Sequence, residues 1–364
     1  MKKGQEKKTI YIFDLIGSYC GMHYYDIAFA QVLRSKDYNT YIYSNFTEKK
    51  ENQGFFPLIF KKNKIIALLM LIICYIKYIA FILSHKKNRI IYLTYGEIYE
   101  LPFLCSTIFS SNIYIDVHEV HALKYKDNSI IANLFNTIYR YCIRRVIYHS
   151  NRTKEILKNK KIKMYYVPHF KYSFKQVCNN QLVAEDIKKV TPNSNIKFLF
   201  FGNLSTVKGI DTVLNSFDQL SLKKLNIELI IAGKNVENID FSKYKNKPNY
   251  HIYDRHINDD ELIYLYKVSN YILLPYKKST QSGIFAMSAY FRKPMILSDI
   301  PYFKNMLKEF PSFGILSTLN EYSISILNTI QNTKVQFYTL EDCKRFEEKD
   351  KIENFLNLFL SEKN

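Results

Sequence analysis

The stretch FLFFGNLSTVKGIDTVLNSF, residues 198–217, changes rhythm part-way along. Phe198 to Phe201 form an unbroken apolar run, the pattern of a short strand buried on both faces. The run stops at Gly202-Asn203, and a short polar loop leads to Lys208-Gly209. Ile210, Val213, Leu214 and Phe217 then recur at helical spacing. A strand, a glycine turn and a helix start together make an anion site, because unpaired N–H groups and the positive end of the helix attract negative charge. A lysine at the junction adds a full charge. The plain alternative is an ordinary strand–helix turn carrying a solvated lysine, and the stretch by itself leaves both readings open.

The same rhythm runs outward in both directions. Before it come strand-like runs at Ile10–Leu15, Thr40–Ser44, Ile90–Thr94, Ile113–Val117 and Ile147–His149, with helical patterns at Met22–Leu33 and 65–83. After it come Ile227–Ala232, Tyr250–Tyr253, Tyr271–Leu274 and Pro294–Leu297, with helical patterns at Glu261–Lys267 and after Ser282. Strands alternating with helices predict parallel sheets covered on both faces. Lys171 to Asn195 is polar, carries Pro192 and shows little periodicity, so it reads as a linker. The expected fold is α/β: two doubly wound, Rossmann-like domains, 1–170 and 196–340, facing one ligand across a cleft. A last helical pattern, Leu340 to Leu360, is expected to place residues 341–364 back on the first domain.

Composition narrows the function. A chain of 364 residues suits two domains, each with its own core. The formal charge of +19 implies an anionic partner: nucleic acid, an anionic membrane face or a nucleotide-diphosphate substrate. The basic residues are scattered, with no helix-turn-helix, RRM or zinc-finger pattern, which sets nucleic acid aside. Six cysteines stand far apart without a C-x-x-C pair, which argues against structural zinc and disulfides and for a cytoplasmic location. The start, MKKGQEKKTIYIFDLIG, has neither the apolar core nor the cleavage site of a signal peptide.

One segment bears on membranes. Ile65 to Leu83 is apolar except for Lys77, and lysines flank it on both sides. Its length approaches the roughly 20 residues of a bilayer span. A central lysine costs about 2.5–3.5 kcal/mol there, and spanning would put the neighbouring strands on opposite sides of a membrane. The expectation is a core helix with one face on the membrane surface.

Several residues have the chemistry of a site. Ser282 and Gly283 open a helix after Pro275-Tyr276, a second cradle for an anion; the same serine is also an ordinary N-cap. His118 ends the Ile113–Val117 strand, where polar residues face the crevice of a doubly wound sheet. A solvated loop histidine is its alternative, and His121 is a second choice. His23 follows Gly21 at the start of a helix, where a glycine loop gives a ligand room, although a packed or capping histidine fits as well. His169 is assigned to the hinge. No D-x-D motif and no metal-ligand spacing are present, so neither a metal nor another cofactor is expected.

The second half resembles the family 4 glycosyltransferases, retaining enzymes of the GT-B fold that use nucleotide sugars. The resemblance is carried by GNLSTVKGIDTVLNSF, by HIYDRHINDDELIYLYKVSNYILLPY and by KKSTQSGIFAMSAYFRKPMILSD. In the first half, GMHYYDIAFAQVL is similar to the family's first loop and helix, IDVHEVHAL to its histidine-bearing strand end, and VPHF to the close of that domain. The resemblance implies donor binding by Gly202, Asn203, Lys208, Gly209, Gln281, Ser282 and Gly283, catalytic roles for His118 and Lys208, and an acceptor side at Gly21 and His23. Two departures stand out. Asn203 replaces an arginine, and the donor loop lacks the family's two glutamates; its Gln281-Ser282-Gly283 is similar to a Gln-Ser-Gly branch of the family.

The function so implied is retaining transfer of a sugar from a nucleotide sugar to a glycan acceptor in bacterial surface polysaccharide synthesis. The acceptor is expected to be lipid-linked, and the enzyme to be cytoplasmic and peripheral at an anionic membrane. A nucleotide-sugar epimerase or hydrolase would need carboxylates that the donor loop lacks. A non-catalytic scaffold is the other alternative, given Asn203 and the missing glutamates.

Overall fold

Largely apolar runs of four to seven residues, closed by glycine or polar turns, become the inner strands of two parallel sheets. A computed structural model of the protein describes residues 8–19, 22–46, 55–59, 62–126, 129–158, 161–167, 178–192, 194–223, 225–332, 336–347 and 350–361. The chain divides into two units, Met1–Ser173 together with Lys349–Asn364, and Phe174–Glu348.

In the first unit β1 (Thr9–Phe13) lies between β2 (Asn39–Tyr43) and β3 (Arg89–Thr94). Next to β3 come β4 (Ile113–Val117), β5 (Arg145–Tyr148) and β6 (Lys163–Tyr166), all parallel. Every residue of β3 and β4 is buried, as in the central strands of a sheet covered on both faces. The strand order reverses between β1 and β3, and a doubly wound sheet forms its ligand crevice at the carboxyl end of such a switch.

The second unit repeats the plan. β7 (Ile196–Phe201) is central, with β8 (Ile227–Gly233) and β9 (Tyr250–Asp254) on one side. β10 (Tyr271–Leu274), β11 (Met295–Ser298) and β12 (Gly314–Ser317) lie on the other. Its switch falls between β7 and β10. The strand–loop–helix read in residues 198–217 is β7 followed by the Ile210–Ser221 helix, whose Ile210, Val213, Leu214 and Phe217 are buried as their spacing predicts.

The edge strands β6 and β12 are missing from the sequence reading. In β6 only Tyr165 is buried, so an edge strand shows no apolar run to read. The stretch 178–192, inside the polar 171–195 segment, carries short helical turns at Asn180–Leu182 and Glu185–Lys188. It is tied to the second unit by the Asn179 N–H donating to Asp260 Oδ1 at 2.7 Å and by Arg255 paired with Asp186 at 3.3 Å.

Two readings of helices need correction. Leu340 to Leu360 is not one helix but two, Leu340–Glu347 and Asp350–Ser361, and they serve different cores. Phe346 packs on Phe310 and Phe313 of the second unit, whereas Phe355 and Phe359 pack on Phe29 and Tyr114 of the first. The apolar segment is also no core helix. The Lys64–Ser84 helix buries only Cys74, Tyr78 and Ile82, one stripe at four-residue spacing, with Tyr78 against Phe13, Tyr92 and Phe103. It is long and apolar enough to cross a membrane, but it joins two strands of one sheet and lies along that sheet. Its first ten residues contain no buried side chain, and Ile65 and Ile76 are 75% and 60% exposed.

Candidate functional site

In the second unit the carboxyl ends of β7, β8 and β10 converge through glycines. Gly209 has a left-handed backbone (φ 81°), and a Cβ there would lie 2.0 Å from the Pro275 carbonyl oxygen, so the Lys208 loop rests directly on the end of β10. The Lys277 N–H donates to the Val207 carbonyl at 2.9 Å and closes the same contact. Gly233, ending β8, approaches so closely that its Cβ would lie 1.9 Å from the Gly202 carbonyl oxygen. Gly202 in turn faces the Ile284 side chain at the start of the Gly283–Tyr290 helix.

This packing brings together the two anion cradles read from sequence. The Lys208 ammonium lies over the Tyr276 ring, 3.8 Å from its centre. The Tyr276 hydroxyl is 3.4 Å from Ser282 Oγ. Ser282 caps its helix by accepting the Phe285 N–H at 3.2 Å, while Gly283 and Ile284 belong to the same first turn, whose N–H groups have no intrahelical acceptor. Asn203 is exposed beside Gly202, and Gln281 is half-buried next to the cap. Tyr276, buried between Lys208 and Ser282, is the residue that sequence reasoning passed over. Its place beside Pro275 at a strand end was visible, but its role as a bridge depends on the fold.

In the first unit the polar residues at the strand ends are buried rather than solvated. His118 is 2% exposed, so the solvated-loop alternative fails. Asp116 on β4 accepts the Tyr25 hydroxyl at 2.7 Å and lies 2.7 Å from His149 Nε2 and 3.6 Å from His118 Nε2. Burial opposes a charge on Asp116, but His149 and His118 outweigh it and hold its carboxyl well below the ordinary carboxylate range. Burial lowers His118 against the pull of Asp116. At the strand switch the Tyr95 hydroxyl donates to Asp14 Oδ2 at 3.0 Å. Asp26 is raised well above the usual range by its burial and by Asp14 and Asp116.

His23 opens the His23–Arg34 helix with its ring against Tyr24 and Phe46. His121 is buried and stacked on Phe135 with Nε2 at 3.3 Å from Asn136, a packing role. Gly21 and His169 lie outside the described residues. Asp116, His118 and His149 bring one ligand-type atom each within 4.8 Å of one another, a grouping that linear spacing did not reveal. The 2.7 Å between His149 and Asp116 is hydrogen-bond spacing, whereas His118 Nε2 stands outside it at 3.6 Å.

Residues 183–318 match the family model described as glycosyl transferases group 1. The second unit carries a group 1 glycosyl transferase domain. The protein is a glycosyltransferase, and Lys208, Tyr276 and Ser282 all fall within the matched stretch. No curated protein matches the glycosyltransferase. Solved structures match it over nearly its whole length. A sucrose-phosphate synthase from Thermosynechococcus elongatus is 13% identical with a TM-score of 0.71, over 98% of this chain and 100% of that one. HepE of Anabaena, in complex with UDP-glucose, is 11% identical at 0.68, over 97% and 100%. The lipopolysaccharide outer core galactosyltransferase WaaB is 16% identical at 0.60, over 97% and 99%. At such identities the likeness is one of fold, the GT-B fold of two doubly wound sheets.

Proposed function

We propose that the glycosyltransferase moves a sugar, with retention, from a nucleotide sugar to a glycan acceptor in bacterial surface polysaccharide synthesis. The observation that carries this reading is the convergence of Lys208 and the Ser282-capped helix start on Tyr276, at the strand switch of the matched domain. A leaving nucleoside diphosphate gains negative charge as the glycosidic bond breaks. A fixed ammonium and preorganised N–H groups stabilise that charge most where it develops. Lys208 and the Gly283 turn supply it without a metal. In the proposed front-face displacement the departing phosphate takes the acceptor proton. His118 contacts the donor sugar, and His23 and Gly21 belong to the acceptor side. Gln281-Ser282-Gly283 fits a Gln-Ser-Gly branch of the family.

UDP-glucose bound to HepE supports a nucleotide-sugar donor, and WaaB, by its name a lipopolysaccharide galactosyltransferase, supports a surface-glycan acceptor. We take the acceptor to be lipid-linked and the enzyme to be cytoplasmic and peripheral. The exposed apolar start of the Lys64–Ser84 helix, with Lys62 and Lys64 beside it, supports contact with an anionic bilayer. Lysines at a helix N-terminus oppose the helix dipole, so their placement favours something other than helix stability. Incubation with a panel of nucleotide sugars and lipid-linked glycans tests the reading: transfer with one donor supports it. Binding without transfer or hydrolysis would favour a scaffold, and hydrolysis or epimerisation without transfer would replace the reaction.

A further inference from the structure

We propose that Asp116 is a positioning residue for the reaction, holding the ring of His118 through a buried network that also takes in His149 and Tyr25. The proposal rests on the reading that His118 meets the substrate. Asp116 and His118 are two apart at the end of β4, so their side chains leave the strand on the same side. A carboxylate buried in a central strand is costly unless it is filled by hydrogen bonds or opposite charge. Asp116 has both. Tyr25, from the His23–Arg34 helix, occupies Oδ2 at 2.7 Å, and His149, following β5, meets Oδ1 at 2.7 Å.

His149 is fixed at both ends. Its Nδ1 lies 3.0 Å from the Val167 carbonyl oxygen, which only accepts, and its Nε2 faces a carboxylate. Every partner is satisfied when both nitrogens carry hydrogen and Asp116 is ionised. The pair then has no net charge, which leaves His118 as the member free to stay neutral. The rings confine it. Tyr25 meets His118 edge-on at 4.4 Å, His149 lies at 4.7 Å and Tyr95, following β3, stacks at 5.7 Å. The His118 N–H donates to the Thr94 carbonyl at 3.0 Å, which ties its backbone to β3. Among the described residues the titratable groups seen facing His118 are Tyr25, Tyr95, Asp116 and His149, with Asp14 behind Tyr95 and Asp26 on the Tyr25 helix. A neutral imidazole held in one orientation can hydrogen-bond a sugar hydroxyl with little loss of freedom on binding.

The test has a reading that needs no substrate. Histidine side-chain ¹H–¹⁵N spectra of the labelled full chain are followed against pH for the parent, Asp116→Asn and His149→Gln. Loss of the carboxylate charge should move the His118 midpoint down by about one pH unit, and loss of the His149 charge should move it up. Unfolding would instead bring every histidine towards about 6.5, upwards from the lowered His118. A downward shift in Asp116→Asn therefore cannot come from unfolding. Should Asp116→Asn not fold, His149→Gln with an intact cooperative melt carries the measurement alone. An unmoved His118 midpoint in the folded variants overturns the proposal.

Turnover is then measured with the nucleotide sugar that the panel identifies. Asp116→Asn is expected to lower kcat by about 10- to 100-fold with donor KM little changed, the scale seen when a group that orients a functional histidine is removed. His118→Gln should lose at least as much, and the double variant no more than His118→Gln alone. If His118→Gln loses turnover while Asp116→Asn keeps it, the positioning role fails by itself. If His118→Gln keeps full turnover, the substrate role of His118 fails, and the proposal with it.

Discussion

The ammonium of Lys208 sits 3.8 Å above the ring of Tyr276, and the hydroxyl of the same tyrosine reaches Ser282. One aromatic side chain thereby joins a loop after β7 to a helix after β10. Lys208→Ala should cost about 100-fold or more in turnover, the usual effect of deleting a group that stabilises developing charge. Its effect on folding should stay near 1 kcal/mol, the worth of a cation–π contact. Tyr276→Leu should weaken donor binding by releasing Lys208. Parent-like turnover in Lys208→Ala would remove the donor-site assignment.

Gly209→Ala should be damaging for a backbone reason. A left-handed conformation costs a non-glycine residue about 1–2 kcal/mol, before the contact of a Cβ with the Pro275 oxygen is counted. Urea unfolding should give a loss of at least that size, larger than the loss in Lys208→Ala. An unchanged midpoint would mean that the loop does not rest on β10.

Asp26 makes stability depend on pH. Its folded pKa is raised, so the fold favours the protonated form. The unfolded chain ionises above about pH 4. The contribution of Asp26 is therefore fully present below that pH and is lost as pH rises towards the folded value. Asp26→Asn cannot ionise, and it should melt higher than the parent at pH 7.5 and near the parent at pH 4. The reverse order at pH 7.5 would show that the ionised carboxylate is wanted.

Chelation should leave transfer intact, since the proposed site draws its positive field from Lys208 and the Gly283 helix start. Activity lost with EDTA and restored by Mg²⁺ or Mn²⁺ would instead implicate a bound cation.

Liposomes test the Lys64–Ser84 helix. Each lysine near an anionic surface contributes about 1 kcal/mol and is screened by salt, whereas buried apolar area is not. Sedimentation with anionic vesicles should be strong at low salt, largely lost at high salt and absent with neutral vesicles. Leu68→Glu, on the exposed stretch, should weaken it further. No lipid-dependent sedimentation in either buffer would end the membrane reading.

The local elements and their order follow from the chain's own pattern. Unbroken apolar runs such as Phe198–Phe201 and Leu229–Ala232 can only be satisfied inside a sheet covered on both faces, and the glycine turns after β7 and before the Ile210–Ser221 helix follow from backbone needs that few other residues meet. Lys208, Ser282 and Gly283 were legible for that reason, each sitting at a junction where the chain changes period. Every relationship between distant positions came from folding. Tyr25, Asp116 and His149 stand on three elements, and nothing in their spacing announces that one carboxylate will accept from both of the others. Tyr276 looked like the end of a strand until Lys208 was folded onto it. The Lys64–Ser84 helix had the composition of a core helix, yet whether an apolar surface is covered depends on which neighbours reach it. Here they fully bury only Cys74, Tyr78 and Ile82. Periodicity is a property of the nearest residues in the chain. Burial and hydrogen bonding across the sheet are properties of residues tens of positions apart, brought together only when the strands take their order.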